Sequence, residues 1–416
     1  MADVKRILAE VVARITPTQR PPEVDATLDA INAQLRKRKI RAKASLGGSF
    51  AKDTWLVGDH DVDIFVAFDL SYKDKPLSDI LAPALAFLKP TRVHGSRDYF
   101  QIEDHFMFEI IPVLAIKKPA DAQNITDFSL RHVTWVNARS KRLKDDIRLA
   151  KKFCKAQRVY GAESYIRGFS GHVVDLLVVH CRGFMPLLRA AAKWTPKTVI
   201  DTENAHKGKT LLVLNKSKTE GPLVVVDPVQ PERNAAASLM IENYDRFVHA
   251  AKMFLARPSL GAFERQSVDF AKMAKRGSLV LVSAQPMRAS EDVAGTKLLK
   301  LFEHVKTTLV EQGFTLSNAA WDWDKKHKAL LWFVTKEATL PKTREVTGPP
   351  VRLSHHAAAF KKKYRRVKTS KGKLVAIVPI TLRTPIAEAN AASHDPLVKD
   401  KARAIKVMPW SARLKL

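Results

Sequence analysis

The sequence predicts an α+β protein of several domains, and three observations carry that reading. Near the N-terminus, stretches of alternating apolar residues flank a Gly-Gly-Ser turn, and further strand-like runs follow before residue 115. From Arg139 to Pro258 the apolar spacing is mostly helical. In the last third, strands and helices alternate again: GSLVLVSA, a helix over Leu298 to Gln312, then KALLWFVT.

Taken in order, Val4, Ile7, Leu8, Val11, Val12 and Ile15 recur at helical spacing, and Pro17, Pro21 and Pro22 end that helix. Val24, Leu28, Ile31 and Leu35 mark a second one. Ile40, Ala42, Ala44 and Leu46 then alternate with Arg41, Lys43 and Ser45, as in a half-buried strand. Gly47 and Gly48 break it, and Ser49 is placed to cap a short helix. Backbone N–H groups at such a start suit a phosphate, and Gly48 lets it come close. Val62, Ile64 and Val66 alternate with Asp61, Asp63 and Phe65, so a second strand sets both carboxylates on one face. Two carboxylates with substrate phosphates are a usual way to hold Mg²⁺. A solvated aspartate pair at a strand edge is the plainer alternative.

Leu77 to Leu88 reads as a helix stopped by Pro90, and Arg92 to Leu114 as two antiparallel strands turning near Asp104. The second of these, FMFEIIPVL, holds Glu109 as a lone acid among apolar residues. Such acids are uncommon unless paired or metal-bound. Glu109 reads either as a third metal carboxylate or as an edge-strand residue facing water.

Past Arg139, charges cluster in RSKRLKDD, and Ile147, Leu149, Ala150, Phe153 and Cys154 follow helical spacing. A linker, YGAESYIRGFSG, leads to VVDLLVVHC, a buried helix by length and density. Strands follow Trp194, with VVVDPV near Val226, and a helix from Ala235 to Leu255 ends at Pro258. Domain boundaries are expected near Arg139 and Pro258. The segment NAHKGKT, Asn204 to Thr210, carries half of a Walker A pattern. Glu203 stands where its first glycine belongs and LLVLNKS reads as a strand, so a P-loop is rejected. After the turn Gly348-Pro349-Pro350 comes the basic run FKKKYRRVKTSKGK. It reads as a solvated helix face or as an RNA phosphate contact through Lys361, Lys362, Lys363, Arg365 and Arg366.

Composition narrows the function. Lys plus Arg number 71 against 42 acids, a formal net charge of +29, which implies a polyanionic partner, nucleic acid foremost. A chain of 416 residues holds about two to four domains. Cys154 and Cys181 sit in apolar helical patterns as reduced core residues, which fits a cytoplasmic protein. No CxxC pair indicates a zinc site. No apolar run reaches membrane-span length and no signal-peptide core opens the chain, so no membrane partner is expected.

Several long motifs occur in a telling order: GGSFAKDTW with DVD, KKFCKAQRVYGAESYIRGFSGHVVDLLV, KWTPKTVID, and VVVDPVQPERNAAASL continuing to RFVHAAKMFLARPSLGAF. GPPV and the basic stretch behind it add weaker support. In these the chain resembles, over nearly its whole length, the archaeal-type (class I) CCA-adding enzymes, tRNA nucleotidyltransferases of the DNA polymerase β superfamily. The resemblance implies a polymerase β-like nucleotidyltransferase head (residues 1–138) and a helical neck that recognises the base (139–257). It also implies an α/β body (258–293 with 373–416) and a tail (294–372), both binding tRNA.

On that resemblance Asp61 and Asp63 are metal carboxylates, and Glu109 stands where the family usually has a third, an Asp. Ser49 matches the triphosphate-binding serine, and Lys52 replaces an arginine, keeping the charge but losing the bidentate fork. His132, Lys151 and Tyr160 match further nucleotide positions, and Arg233 the arginine that reads the incoming base. The implied activity is template-independent addition of C, C and A to the 3′ end of tRNA from CTP and ATP. Two Mg²⁺ ions would serve it, with Mn²⁺ as an alternative, and pyrophosphate would leave. The implied partner is the tRNA acceptor arm; the oligomeric state, a homodimer included, is left open. A poly(A) polymerase-like enzyme and a non-catalytic RNA-binding protein are alternatives, as is a nucleotidyltransferase acting on a small molecule or protein, against which the charge and length argue. The Arg233 region argues against the first, and Asp61 with Asp63 against the second.

Overall fold

In the computed structural model, which describes residues 2–411, the chain divides into two units, one ending at Gln266 and the other beginning at Ser267. The first unit opens with α1 (Ala2–Ile15) and α2 (Pro22–Lys37), the latter starting on a proline whose missing N–H costs nothing there. Then come β1 (Ala42–Leu46), α3 (Gly48–Lys52), β2 (Asp61–Phe68) and α4 (Leu77–Leu85). β3 (Thr91–Val93), β4 (Tyr99–Glu103) and β5 (Met107–Leu114) follow. The helical part comprises α5 (Ser129–Arg139), α6 (Lys144–Ala156), α7 (Gly171–Cys181) and α8 (Phe184–Ala191). β6 (Thr198–Ile200), α9 (Thr210–Val213), β7 (Leu223–Val225) and α10 (Ile241–Ala256) complete it.

Five strands make one sheet in the order β1-β2-β5-β4-β3. All neighbours are antiparallel except β2 and β5, which run parallel. That exception positions the site. The alternating apolar residues Val62, Ile64 and Val66, with Phe108 and Ile110 of β5, turn to one face and are buried with Val24, Ile31 and Leu35 of α2 and Leu81 of α4. The other face is left for polar side chains. A second core, rich in phenylalanine, lies among the helices. Phe153, Phe184, Phe254 and Phe263 meet there with ring centroids 5.5–6.1 Å apart. Val11 and Ile15 of α1 belong to this second core, not to the core of the sheet.

Three local expectations change. β3 adds a strand between Thr91 and Val93 that sequence spacing did not show. LLVLNKS, read as a strand, instead begins with the single turn α9, where Leu211, Leu212 and Val213 are all exposed and no sheet receives them. The helix expected from Ala235 starts only at Ile241. Asn234 Oδ1 accepts the Val225 and Ala236 N–H groups, both at 2.9 Å, and ties the preceding residues to β7.

The second unit contains α11 (Phe270–Ala274), β8 (Ser278–Gln285), α12 (Glu291–Gln312), β9 (Leu316–Trp323) and β10 (Ala329–Thr335). β11 (Thr343–Pro350), α13 (Ser354–Lys363), β12 (Val367–Ser370), β13 (Lys373–Pro379), α14 (Pro385–Ser393) and β14 (Ala404–Pro409) follow. Its antiparallel sheets run β14-β8-β10-β9 and β11-β13-β12. Gly348-Pro349-Pro350, expected as a turn, is the irregular end of β11, and prolines are tolerated there because β11 is an edge strand. Among the described residues no helix is long and apolar enough to cross a membrane.

Candidate active site

The glycine turn is bound to the strand that carries the aspartates. β1 pairs with β2 so that Leu46 lies opposite Ile64, and the Gly47 N–H donates to the Asp63 carbonyl at 2.8 Å. Gly48 then opens α3 with φ +48°, and a Cβ there would lie 1.7 Å from Asp63 Oδ2. A Cβ on Gly47 would lie 2.2 Å from the Phe65 ring. Glycine is required at both positions because the backbone rests on the Asp63 side chain and its neighbour. Ser49 is not the cap: Gly47 holds that position without a side chain, and Ser49 lies inside the turn, its carbonyl accepting the Thr54 N–H at 3.0 Å.

The parallel pairing of β2 with β5 brings in Glu109. The register sets Asp63 against Glu109, with Val62 against Phe108 and Ile64 against Ile110 on the buried face. Neighbouring strands lie about 4.8 Å apart, so Glu109 stands beside Asp63 on the face that also carries Asp61. Gln101, opposite Glu109 on β4, donates its Nε2 to Glu109 Oε1 at 2.8 Å. Burial, then the charges of Glu109 and Asp61, push the Asp63 carboxyl up to about 6, against the pull of Lys52 and Lys151. Three carboxylates thus gather on one face of the sheet.

Those lysines meet behind the turn. Lys52 of α3 is buried and ion-paired with Asp175 of α7, itself fully buried. Lys151 of α6 donates to Thr54 Oγ1 at 3.0 Å and lies 4.0 Å from Asp175. Burial pulls the Lys151 ammonium down to about 8, while Asp175 works the other way. Burial would raise the Asp175 carboxyl, but Lys52 and Lys151 together hold it below the usual range.

His132 lies on α5. Its Nε2 is 3.0 Å from Asp227, and Arg233 Nη1 donates to the same carboxylate at 3.1 Å. His172 of α7 approaches Asp227 to 3.5 Å, and its ring centroid is 4.4 Å from that of His132. Among the described residues, His132, His172 and Asp227 bring ligand atoms within 4.8 Å of one another and could hold a metal ion. Tyr160 bridges to Phe169, and its hydroxyl lies against Gly171, where an added Cβ would come within 2.8 Å. Burial raises that phenol well above its ordinary pKa, so it stays protonated. Lys361, Lys362, Lys363, Arg365 and Arg366 are exposed at the end of α13 and just beyond it, in the second unit.

Comparisons with known proteins bear on this geometry. A model of the nucleotidyltransferase domain matches residues 28–109, the span of the turn and all three carboxylates. The second domain of tRNA nucleotidyltransferase matches residues 145–264, and the C-terminal domain of CCA-adding enzymes matches residues 276–382. The chain is 34% identical over 328 residues to the CCA-adding enzyme of Nanoarchaeum equitans, covering 78% of this chain and 80% of that one. The chain belongs to the CCA-adding enzyme family. The relative from Halorubrum lacusprofundi is 30% identical over 398 residues, 88% of this chain and 82% of its own. Among solved structures, a cytoplasmic RNA terminal U-transferase superposes with a TM-score of 0.50 at 14% identity, over 64% of this chain and all of that one. A poly(U) polymerase reaches 0.51 at 14% identity, over 64% of this chain and 99% of its own. These likenesses show the nucleotidyltransferase fold.

Sequence reasoning missed Asp175, His172 and Asp227. A signal existed for the two aspartates. Asp175 in VVDLLVV and Asp227 in VVVDPV are lone acids in apolar runs, the same criterion that singled out Glu109. His172 opens a helix in a glycine-serine context and has no comparable signal.

Proposed function

We infer that this chain is a CCA-adding tRNA nucleotidyltransferase, which extends the 3′ end of tRNA by C, C and A from CTP and ATP and releases pyrophosphate. The observation that carries the reading is the parallel register of β2 and β5, which sets Glu109 beside Asp63 beneath the Gly47-Gly48 turn. The donor set fits divalent magnesium. It is all oxygen, and Asp63, raised by burial and then by the charge of Glu109, is a carboxyl whose ionised form a hard cation would favour. Asp61 and Asp63 would hold two such ions between them, with Glu109 on the side of the attacking hydroxyl. Bound there, the ions supply Lewis-acid activation of the RNA 3′-hydroxyl and stabilisation of the leaving pyrophosphate.

The chain's own residues do the rest. Gly48 and Ser49 would offer backbone N–H groups to the triphosphate beside the Asp63 carboxylate, on which Gly48 rests. Lys52 and Lys151 supply positive charge behind it, from positions fixed by Asp175 and Thr54. Their fixed geometry needs little reorganisation as charge moves toward the leaving phosphates. His132 lines the nucleotide site from α5, Tyr160 packs as a protonated phenol at its floor, and Arg233 offers its guanidinium to the edge of the incoming base.

We assign residues 1–138 to a catalytic head, 139–257 to a neck that reads the base, and 258–293 with 373–416 to a body. Residues 294–372 form the tail. In the second unit, the exposed basic run from Lys361 to Arg366 suits phosphates of the tRNA acceptor arm, since A-form RNA is recognised through shape and backbone. A cytoplasmic location accompanies this proposal.

The test uses tRNA lacking its 3′ end, incubated with CTP alone, ATP alone, and both. Two C residues with CTP alone, followed by a single A when ATP is added, are expected. Long homopolymeric tails, or no extension, would overturn the reading.

A further inference from the structure

Asp227 has no part in the chemistry described above, yet five groups converge on it. Its carboxylate is fully buried. Oδ1 accepts the Val229 and Gln230 N–H groups at 2.9 and 3.3 Å and faces His132 Nε2 at 3.0 Å. Oδ2 accepts Arg233 Nη1 at 3.1 Å and faces His172 Nε2 at 3.5 Å, where alignment falls short of a hydrogen bond. The backbone closes the same loop: the Asp227 N–H donates to the Arg233 carbonyl at 3.0 Å, and the Arg233 N–H to the Gln230 carbonyl at 2.9 Å. Arg233 and His132 come from segments about a hundred residues apart, and Asp227 is the partner they share.

We propose that Asp227 is a positioning residue for nucleotide choice, one carboxylate that holds both Arg233 and His132 in register with the incoming nucleotide. The inference rests on the reading of Arg233 as the base-reading residue. The Arg233 side chain is 38% exposed, so the part of the guanidinium that Asp227 does not engage faces outward. A guanidinium donates usefully to a base edge only when its plane is held, and a charge-assisted hydrogen bond to a buried acid holds it. Held in this way, it pairs with the acceptors of C and A and leaves mismatched groups on U and G unsatisfied. A resident metal at His132, His172 and Asp227 is disfavoured, because Arg233 already places a positive charge on the same oxygen.

Asp227→Asn keeps the shape and can still accept from Val229 and Gln230, but it turns an amide N–H toward Arg233. Selection of CTP and ATP over UTP and GTP is expected to fall at least tenfold. KM for CTP should rise more than kcat falls, and tRNA affinity should be unchanged. Asp227→Glu, which restores the charge, should recover part of the selection. Asp227→Asn combined with Arg233→Ala should select no worse than Arg233→Ala alone, since both changes act through one guanidinium. Unchanged selection in Asp227→Asn, or additive losses in the double variant, would overturn the proposal.

Should the Asn variant fail to fold, ¹⁵N NMR of the unmutated protein decides. A slowly rotating Arg233 guanidinium, assigned by its loss in Arg233→Ala, is expected, and a freely averaging one refutes the role. Stoichiometric Zn²⁺ binding that is lost in His172→Ala would also refute it, in favour of a metal site. The unmutated enzyme, run alongside on tRNA, keeps the two ideas apart. Absence of C and A selection there refutes the functional reading, whereas selection that survives Asp227→Asn refutes only the role of Asp227.

Discussion

Asp63 and Asp227 are both aspartates set in apolar sequence close to the same site, yet their electrostatic states are opposite. Burial raises Asp63, and the charges of Glu109 and Asp61 raise it further, against the pull of Lys52 and Lys151. Burial works on Asp227 in the same direction, but His132 and His172 at its oxygens outweigh it and hold the carboxyl far below the usual range. Asp175 is like Asp227, with Lys52 and Lys151 as its cations. Asp227 is thus paired with Arg233 and Asp175 with Lys52, cations that the fold itself supplies, whereas like charges stand beside Asp63. A carboxylate removed from water beside like charges holds its proton more tightly, and a bound cation reverses that. Asp63 is such a group, on the face of β2 and β5 that it shares with Asp61 and Glu109, and there the chemistry is assigned.

The largest effect is expected at the carboxylates of β2: Asp61→Ala or Asp63→Ala should reduce nucleotide transfer by at least about 10³-fold. Affinity for tRNA, measured by gel shift, should stay within about twofold, since grip depends on basic surface. Parallel loss of rate and binding would mean that these acids hold the fold.

Next comes a paired acid. Asp175→Asn leaves Lys52 and Lys151 buried without a counter-charge, and urea unfolding should report a loss of about 3–5 kcal/mol. Unchanged stability would show that the lysines do not need Asp175, and the contrast with Asp63 would lose its basis.

Glu109→Gln should slow transfer by two to three orders of magnitude, equivalent to about 3–4 kcal/mol, because it keeps the shape and removes an anionic oxygen. Glu109→Asp should retain much of the activity. Near-normal turnover of the Gln variant at low Mg²⁺ would remove Glu109 from the metal set.

A smaller effect concerns pH. The folded Asp63 carboxyl titrates near 6, above its ordinary 3.8, so the native state binds this proton more tightly than the unfolded chain does. The stability it contributes is complete below 3.8 and is lost as pH rises through about 6. Metal-free Asp63→Asn should therefore be more stable than the parent at pH 8, by about 1–2 kcal/mol after allowing for partial exposure, and no more stable at pH 3.5. Equal stability at pH 8 would contradict the crowding of the three acids.

The smallest effect lies in the second unit. Replacing Lys361, Lys362 or Lys363 singly by alanine should lower the log–log salt slope of tRNA binding by about 0.7–0.9 each. An unchanged slope would leave the run as solvated surface.

Much of this was legible in the sequence. Period-two alternation placed Asp61 and Asp63 on one face, and the glycine pair marked the turn that lies on Asp63. Period and glycine placement are local properties of a chain, set by sterics and by which side chains must leave water. The register of β2 against β5 was not legible, because parallel strands far apart in sequence carry no turn to declare their pairing. The partnerships of Lys52 with Asp175 and of His132 with Arg233 through Asp227 span 123, 95 and 6 residues respectively. Composition offers each acid many cations, and only the packed helices decide which one shares its burial. Local pattern was enough to mark β1, β2 and β5, the glycine turn and the acids on them. Which cation stands beside Asp175 or Asp227, and that Glu109 stands beside Asp63, came from the packed fold, because charge interaction depends on distance in space, which local periodicity does not encode.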